Sequence, residues 1–198
     1  MIRKMLIANR GEIACRIIRT ARRMKIKTVA IYSESDKDAL HVEMADEAHY
    51  VGPSPAKDSY LNIPRIIEII KTTKADAVHP GYGFLSENAE FAEAVESTGA
   101  IFIGPSSTII RDMGDKLRAK AIAREAGIPL IPGSLHPVKT AQEVKKFAHD
   151  HGYPILLKAA AGGGGKGMRI VYDAEAIEEA ISRTRSEALS SFGDDRIF

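Results

Sequence analysis

A single cysteine, Cys15, serves all 198 residues, so the chain can build no internal disulfide and suits a reducing compartment. No apolar run approaches the ~20 residues that a membrane span requires. Neither sign of charge dominates: 28 Lys and Arg stand against 26 Asp and Glu. A net +2 argues for neither nucleic acid nor an acidic membrane as the partner of the whole chain. The opening Met1-Ile2-Arg3-Lys4 is basic, but only residues 5–8 are apolar before Asn9-Arg10, too short for the core of a secretory leader. The six histidines are scattered without the H-E-x-x-H spacing of a metal site, and no metal ligands are expected. After these exclusions the expectation is a soluble cytoplasmic protein. Its 44% hydrophobic and 27% charged residues are ordinary for a globular chain, long enough for one large domain or two small ones.

Strands and helices alternate along the first half. Short apolar runs predict strands over 5–8, 28–32, 46–51, 76–79 and 100–103. Ile13, Ile17, Ile18, Ala21 and Met24 recur at helical spacing over 12–24. Further helices are expected over 63–71, with Pro64 tolerable in the first turn, and over 87–97, with Ser86 able to cap it. This alternation predicts an α/β, Rossmann-like, doubly wound parallel sheet. After Pro105 the pattern changes, and the domain change is placed between 104 and 114. Helices follow over 115–125 and 140–151, the second capped by Thr140 with Glu143 three residues on. A last helix, capped by Asp173, buries Ile177, Ala180, Ile181, Thr184 and Ala188, and another strand begins at Arg196.

The densest signal lies late in the chain. Ile155-Leu156-Leu157-Lys158 and Met168-Arg169-Ile170-Val171 are two β-prone runs around Gly162-Gly163-Gly164-Gly165-Lys166-Gly167, which predicts a hairpin. Five glycines in six residues lose much entropy on ordering and have no side chains to pack. A plain surface turn needs one or two. Bare backbone N–H groups approaching an anion explain the excess better, and Lys158 and Lys166 add positive charge. The run reads as a cover for a triphosphate. A dinucleotide fingerprint requires a helix next, where 168–172 reads as a strand, and Walker A requires Ser or Thr where Gly167 stands. A kinase glycine loop has its lysine on a later strand. An ATP-grasp loop remains.

Three other places carry charge or unusual backbone. His79-Pro80-Gly81-Tyr82-Gly83-Phe84-Leu85-Ser86-Glu87-Asn88 leaves the carboxyl end of a strand, where open α/β sheets place ligands, though a tight turn without a ligand is the alternative. Lys116 stands at the amino end of its helix, against the helix dipole, as a lysine aimed at an anion would. Arg16, Arg19 and Arg23 share one face of the first helix. A solvated face or a subunit interface accounts for them; nucleic-acid binding does not, since no aromatics interleave with the arginines. Cys15 on that helix reads as core.

Asn9-Arg10-Gly11-Glu12-Ile13-Ala14, His79–Asn88, Gly114-Asp115-Lys116 and Lys158 with Gly162–Arg169, occurring in this order, resemble the amino-terminal part of biotin carboxylase. This is the ATP-grasp component of acetyl-CoA, propionyl-CoA and pyruvate carboxylases. The resemblance covers essentially the whole chain, and the run around Tyr82 is its most specific part. It implies a Rossmann-like amino-terminal domain over 1–112, then over 113–198 a linker helix and the truncated start of an ATP-grasp domain. It implies ATP and Mg²⁺ as cofactors, bicarbonate activated as carboxyphosphate, and carboxylation of biotin on a carrier protein, with a carboxyltransferase as further partner. Lys116 and Lys158 then hold phosphates, Gly162, Gly163, Gly164, Gly165, Lys166 and Gly167 close over them, and Met168 lies against adenine. Tyr82 lies near biotin, and Arg16 and Arg19 lie at the interface of a homodimer.

The family's metal ligands, bicarbonate-binding arginine and general base are expected beyond residue 198, so no catalytic residue is assigned and the chain is expected not to turn over alone. Two alternatives stand beside this reading: a non-catalytic docking or nucleotide-binding module, and another ATP-grasp ligase of the carbamoyl-phosphate or purine-pathway kind.

Overall fold

The computed structural model describes residues 2–161 and 165–198. Backbone contacts divide the chain into two compact units, the first ending at Arg111 and the second starting at Asp112.

The first unit is built on five parallel strands: β1 Lys4–Ile7, β2 Lys27–Ser33, β3 Glu47–Gly52, β4 Ala77–His79 and β5 Ile101–Phe102. Their order across the sheet is β3-β2-β1-β4-β5. Helices α1 Gly11–Arg23, α2 Leu40–Met44, α3 Ile63–Thr73 and α4 Ala89–Glu96 connect them. Successive side chains of β1 face opposite sides of the sheet and enter two separate cores. Leu6 joins Val29, Ile31, Ile66, Ile70 and Phe91 under α3 and α4. Met5 and Ile7 join Ile17, Ile18 and Ala77 under α1. Both faces are covered, which is why these strands are continuous apolar runs rather than alternating ones. Cys15 is buried on the inner face of α1, as a core residue.

Strand order reverses direction between β1 and β4. That is the topological switch point, where the loops leaving the carboxyl ends of neighbouring strands diverge and open a crevice. The loops that meet there are Asn9–Arg10 and the run after His79.

The second unit holds α6 Lys116–Glu125, α7 Ala141–His151, the antiparallel hairpin β6 Ile155–Lys158 and β7 Met168–Val171, and α8 Ile177–Phe192. Its core joins Val144, Ile155, Leu157, Val171, Ile177 and Ile197. All five residues anticipated on the inner face of α8 are buried. Ile197 forms an antiparallel bridge with Ala159, and Phe198 exchanges backbone hydrogen bonds with Lys158, so the segment from Arg196 continues the hairpin sheet.

Several local expectations are corrected. The cap of α4 is Asn88, whose Oδ1 accepts from Phe91 N–H at 2.7 Å, not Ser86. Ser86 is used up in a turn, its N–H donating to Gly83 O. Asp173 accepts from the N–H groups of Glu175 and Ala176 and so ends a turn ahead of α8, whose own cap position is Ala176. Thr140 does cap α7, but Glu143 reaches back to Lys139 N–H rather than to Thr140. The helices α2 and α5 Ser107–Gly114 had no counterpart in the sequence reading.

Candidate functional site

In the second unit Asp115 caps α6, its Oδ1 accepting from the N–H groups of Leu117 and Arg118 at 2.9 and 3.0 Å. Arg196 holds the other oxygen of Asp115 at 3.2 Å and bonds Asp194 as well. This fixes the start of α6 with Lys116 as its first residue. Its ammonium lies 3.4 Å from Ala159 O and 3.5 Å from Ala161 O, at the end of β6 where the glycine run begins. One turn on, Lys120 faces the same cleft, its ammonium 5.4 Å from the centre of the Phe198 ring. Lys158 closes the group from the hairpin. The cleft, about 1160 Å³, is otherwise walled by residues 131–139, α7 and β6, mostly apolar but with Ser134, His136, Lys139, Glu143 and His151 among them.

Burial, and then the charge of Lys158, holds the Lys116 ammonium below its ordinary pKa, against an opposing pull from Asp115. The same two causes lower Lys120. Three ammonium groups are thus gathered in a partly desolvated cleft, where burial and like charge disfavour the protonated forms of Lys116 and Lys120.

The hairpin supplies the other half. Ile155, Leu157 and Val171 point into the core, so pleating turns Leu156, Lys158, Met168 and Ile170 to the opposite face. Register pairs Leu156 with Ile170 and Lys158 with Met168. The result is an exposed apolar plate with an ammonium at the end nearest the glycine run. Met168, expected against adenine, is part of that plate and 43% exposed.

Of the glycine run, Gly162, Gly163 and Gly164 lie outside the described residues. Gly165 and Lys166 are exposed. Gly167 behaves differently. At φ +65 its Cβ position would lie 2.8 Å from Ala159 Cβ, its carbonyl accepts from Ala159 N–H, and its N–H donates to Glu187 at 3.1 Å. Its backbone is engaged by protein, so Gly167 anchors the loop to β6 and α8.

In the first unit the run after β4 is held from the turn after β1. Asn9 Nδ2 donates to Pro80 O and Tyr82 O, both at 2.8 Å. Gly81, at φ +66, packs so closely on Asn9 that a Cβ would meet Nδ2 at 2.8 Å. Tyr82 projects outward, 64% exposed, its hydroxyl 3.3 Å from Glu12 Oε2. Burial lowers the His79 pKa, and its Nδ1 accepts from Gly81 N–H at 3.0 Å.

Sequence reasoning missed Asp36 and Tyr60. The Asp36 carboxylate is buried against the Arg10 guanidinium, the Tyr60 hydroxyl and the Ser33 hydroxyl. The Arg10 bond leads in holding its pKa down, at about 2. Only the polar run Ser33-Glu34-Ser35-Asp36 after β2 hints at this centre in the sequence. Lys120 was missed too; its spacing of four from Lys116 was the available signal.

On α1, Arg16, Arg19, Arg22 and Arg23 are exposed and border one shallow groove of about 530 Å³.

Comparison with known proteins decides the family. The model of the biotin carboxylase N-terminal domain matches residues 1–110, more than half of the chain. The chain belongs to that biotin carboxylase family. Residues 115–198 match the ATP-binding domain of the carbamoyl-phosphate synthase L chain. The propionyl-CoA carboxylase alpha chain of Ruegeria pomeroyi is 55% identical over the whole chain, which spans 29% of that protein. Biotin carboxylase 1 of Bacillus subtilis is 50% identical, with 44% of its length covered. A biotin carboxylase–βγ-ATP complex from Campylobacter jejuni matches the whole chain with a TM-score of 0.93 and 47% identity, over 44% of its length. The biotin carboxylase domain dimer of Hydrogenobacter thermophilus 2-oxoglutarate carboxylase, with MgADP, ADP and bicarbonate, matches with a TM-score of 0.90 and 47% identity, over 43% of its length. The chain therefore spans under half the length of these biotin carboxylase relatives.

Proposed function

We propose that this chain takes part in biotin-dependent carboxylation: ATP and bicarbonate form carboxyphosphate, and biotin on a carrier protein receives the carboxyl group for a carboxyltransferase to use. The observation that carries this is the lysine-bearing cleft beside an exposed apolar hairpin face, in a chain of the biotin carboxylase family. Domains at 1–112 and 113–198 divide the work, the first facing biotin and the second holding nucleotide.

Phosphoryl transfer asks a protein for charge neutralisation, positioning and exclusion of water, with little covalent chemistry. Lys116 and Lys158 supply compact charge to the phosphates, the run 162–167 covers them, and Met168 lies on the adenine with its neighbours on the plate. Among the described residues no group of three or more His, Cys, Asp or Glu could hold a metal. Tyr82 faces biotin from the switch-point loop. Arg16 and Arg19 lie at the interface of a homodimer, an arrangement supported by the dimeric Hydrogenobacter domain.

Lys158→Ala should weaken ATP binding by about 1.5–3 kcal/mol, roughly ten- to 150-fold, measured by titration calorimetry. An unchanged affinity sinks the phosphate assignment. The second reading, an ATP-grasp ligase of the carbamoyl-phosphate type, draws on the match over 115–198. It leaves the 1–110 match and the Tyr82 run without a purpose, and ATP binding by a chain whose 79–88 loop free biotin does not protect from hydrogen exchange would favour it.

A further inference from the structure

The run from Pro80 to Leu85 has the backbone of a segment held under constraint. Gly81 and Gly83 sit at positive φ, and so does Phe84, at φ +42, where a bulky side chain is strained. Strain of this kind persists only where the surroundings over-determine the conformation. Three restraints do so. Asn9 holds the carbonyls on either side of Gly81, and Gly81 fits only because it lacks a Cβ. The Phe84 ring stacks on Tyr60, centres 5.1 Å apart and planes 6° apart. Tyr60 is itself buried, its hydroxyl donating to Asp36 and accepting from Ser33 N–H at 3.0 Å. Asp36 in turn receives Arg10, the residue next to Asn9, and Arg10 N–H donates to Asn9 Oδ1 at 2.9 Å. The links close a ring: Asn9, Arg10, Asp36, Tyr60, Phe84 and back through the Tyr82 carbonyl to Asn9.

A buried carboxylate is a costly way to brace a loop, and an apolar contact would stabilise the fold as well. What charged and directional hydrogen bonds add is a fixed geometry. Of the aromatic side chains on this loop, Tyr82 projects furthest, 64% exposed against 39% for Phe84.

We propose that Asn9, Asp36 and Tyr60 are positioning residues that hold the 80–85 loop in its strained path and so set where Tyr82 presents itself to a ureido-ring ligand. This deepens the reading of Tyr82 as facing biotin and rests on it.

Hydrogen exchange on the 198-residue chain tests both parts separately. In Asn9→Ala and in Phe84→Leu, exchange over 79–88 should rise at least tenfold while β1, β2 and α3 stay within twofold of the unsubstituted chain. Tyr60→Phe keeps the stack and loses the link to Asp36, and should raise loop exchange at least threefold. Loop exchange unchanged in all three variants, or rising only in step with the strands, overturns the positioning role. The second arm adds free biotin. Protection of 79–88 should appear in the unsubstituted chain, and its midpoint should move to at least fivefold higher biotin in Tyr60→Phe; a midpoint that does not move overturns the coupling to ligand. If biotin protects nothing in the unsubstituted chain, the biotin reading of Tyr82 falls, and with it the ligand half of the proposal, while the exchange rates still judge the bracing.

Discussion

Lys116 occupies the first position of a helix, where the dipole disfavours a cation by about 0.3–1 kcal/mol, and it is partly desolvated beside Lys158. Both costs reverse sign when an anion arrives, because the anion restores the ammonium's preference for its proton. Binding therefore requires the protonated form, and affinity must fall as pH rises through the lowered pKa that Lys116 has before ATP enters. Calorimetric ATP affinity should be flat near neutrality and decline at a pH below the lysine's ordinary 10.5. In Lys116→Arg, whose guanidinium stays charged, that decline should move to higher pH. The same pH at which both proteins weaken would refute it. Asp36 works in the other direction. Its carboxyl is held down to about 2, so the stabilisation it contributes is present at neutral pH and lost as pH falls from the usual carboxylate range towards 2. Asp36→Asn should cost about 2 kcal/mol at pH 7, a figure kept below that of a fully buried pair because Arg10 is half exposed to solvent. Urea unfolding should show that deficit shrinking as the pH approaches 2, and a constant deficit would mean the charge is not its source.

At the scale of elements, the best test is the hairpin and its anchor. Gly167→Ala must place a methyl against Ala159 at a positive φ, with Phe192 close behind. We expect a loss of about 1–3 kcal/mol, centred on β6, β7 and α8, by hydrogen exchange. Gly165 has the same sign of φ and, among the described residues, nothing within 4 Å of its Cβ position, so Gly165→Ala should cost less. Equal losses would mean that only backbone strain matters and the close approach does not. The sequence made the hairpin legible because two apolar runs of matching length flank a stretch that can do nothing but turn. It made α1, α3 and α8 legible because their buried positions recur every three or four residues. It could not do so for α2, which has only five residues, or for α5, in which Ile110 alone is buried. Caps failed for a related reason. Ser86 and Asn88 are both good caps, and only the turns that consume Ser86 decide between them.

On the scale of the whole molecule, the residues that carry motifs were readable because tight turns and close backbone approaches, as at Gly81 and Gly167, restrict residue type locally. The ring through Asp36 and Tyr60 was not, because its members are 24 positions apart and meet only once β2 and the segment before α3 are folded. The arginine face of α1 lies between these cases: spacing puts Arg16, Arg19 and Arg23 on one face, and its purpose depends on what covers it. Ile17 and Ile18 turn inward while Arg16, Arg19, Arg22 and Arg23 turn out. Arg22 donates to Met44 O and Arg23 to the Thr20 hydroxyl, and among the described residues none of the four meets a carboxylate within ion-pair distance. Four like charges along one helix repel each other, by a few tenths of a kcal/mol for each pair one turn apart, and a solvated face gains nothing from such crowding. Acidic groups of a second copy would offset the repulsion and make association sensitive to salt, whose screening length is about 8 Å at physiological strength. Sedimentation of the double variant Arg16→Glu, Arg19→Glu should therefore show self-association weakened at least tenfold, and the unsubstituted chain should dissociate more readily as salt is raised. If the variant and the original associate alike at every salt concentration, the arginines face only water and the interface assignment falls.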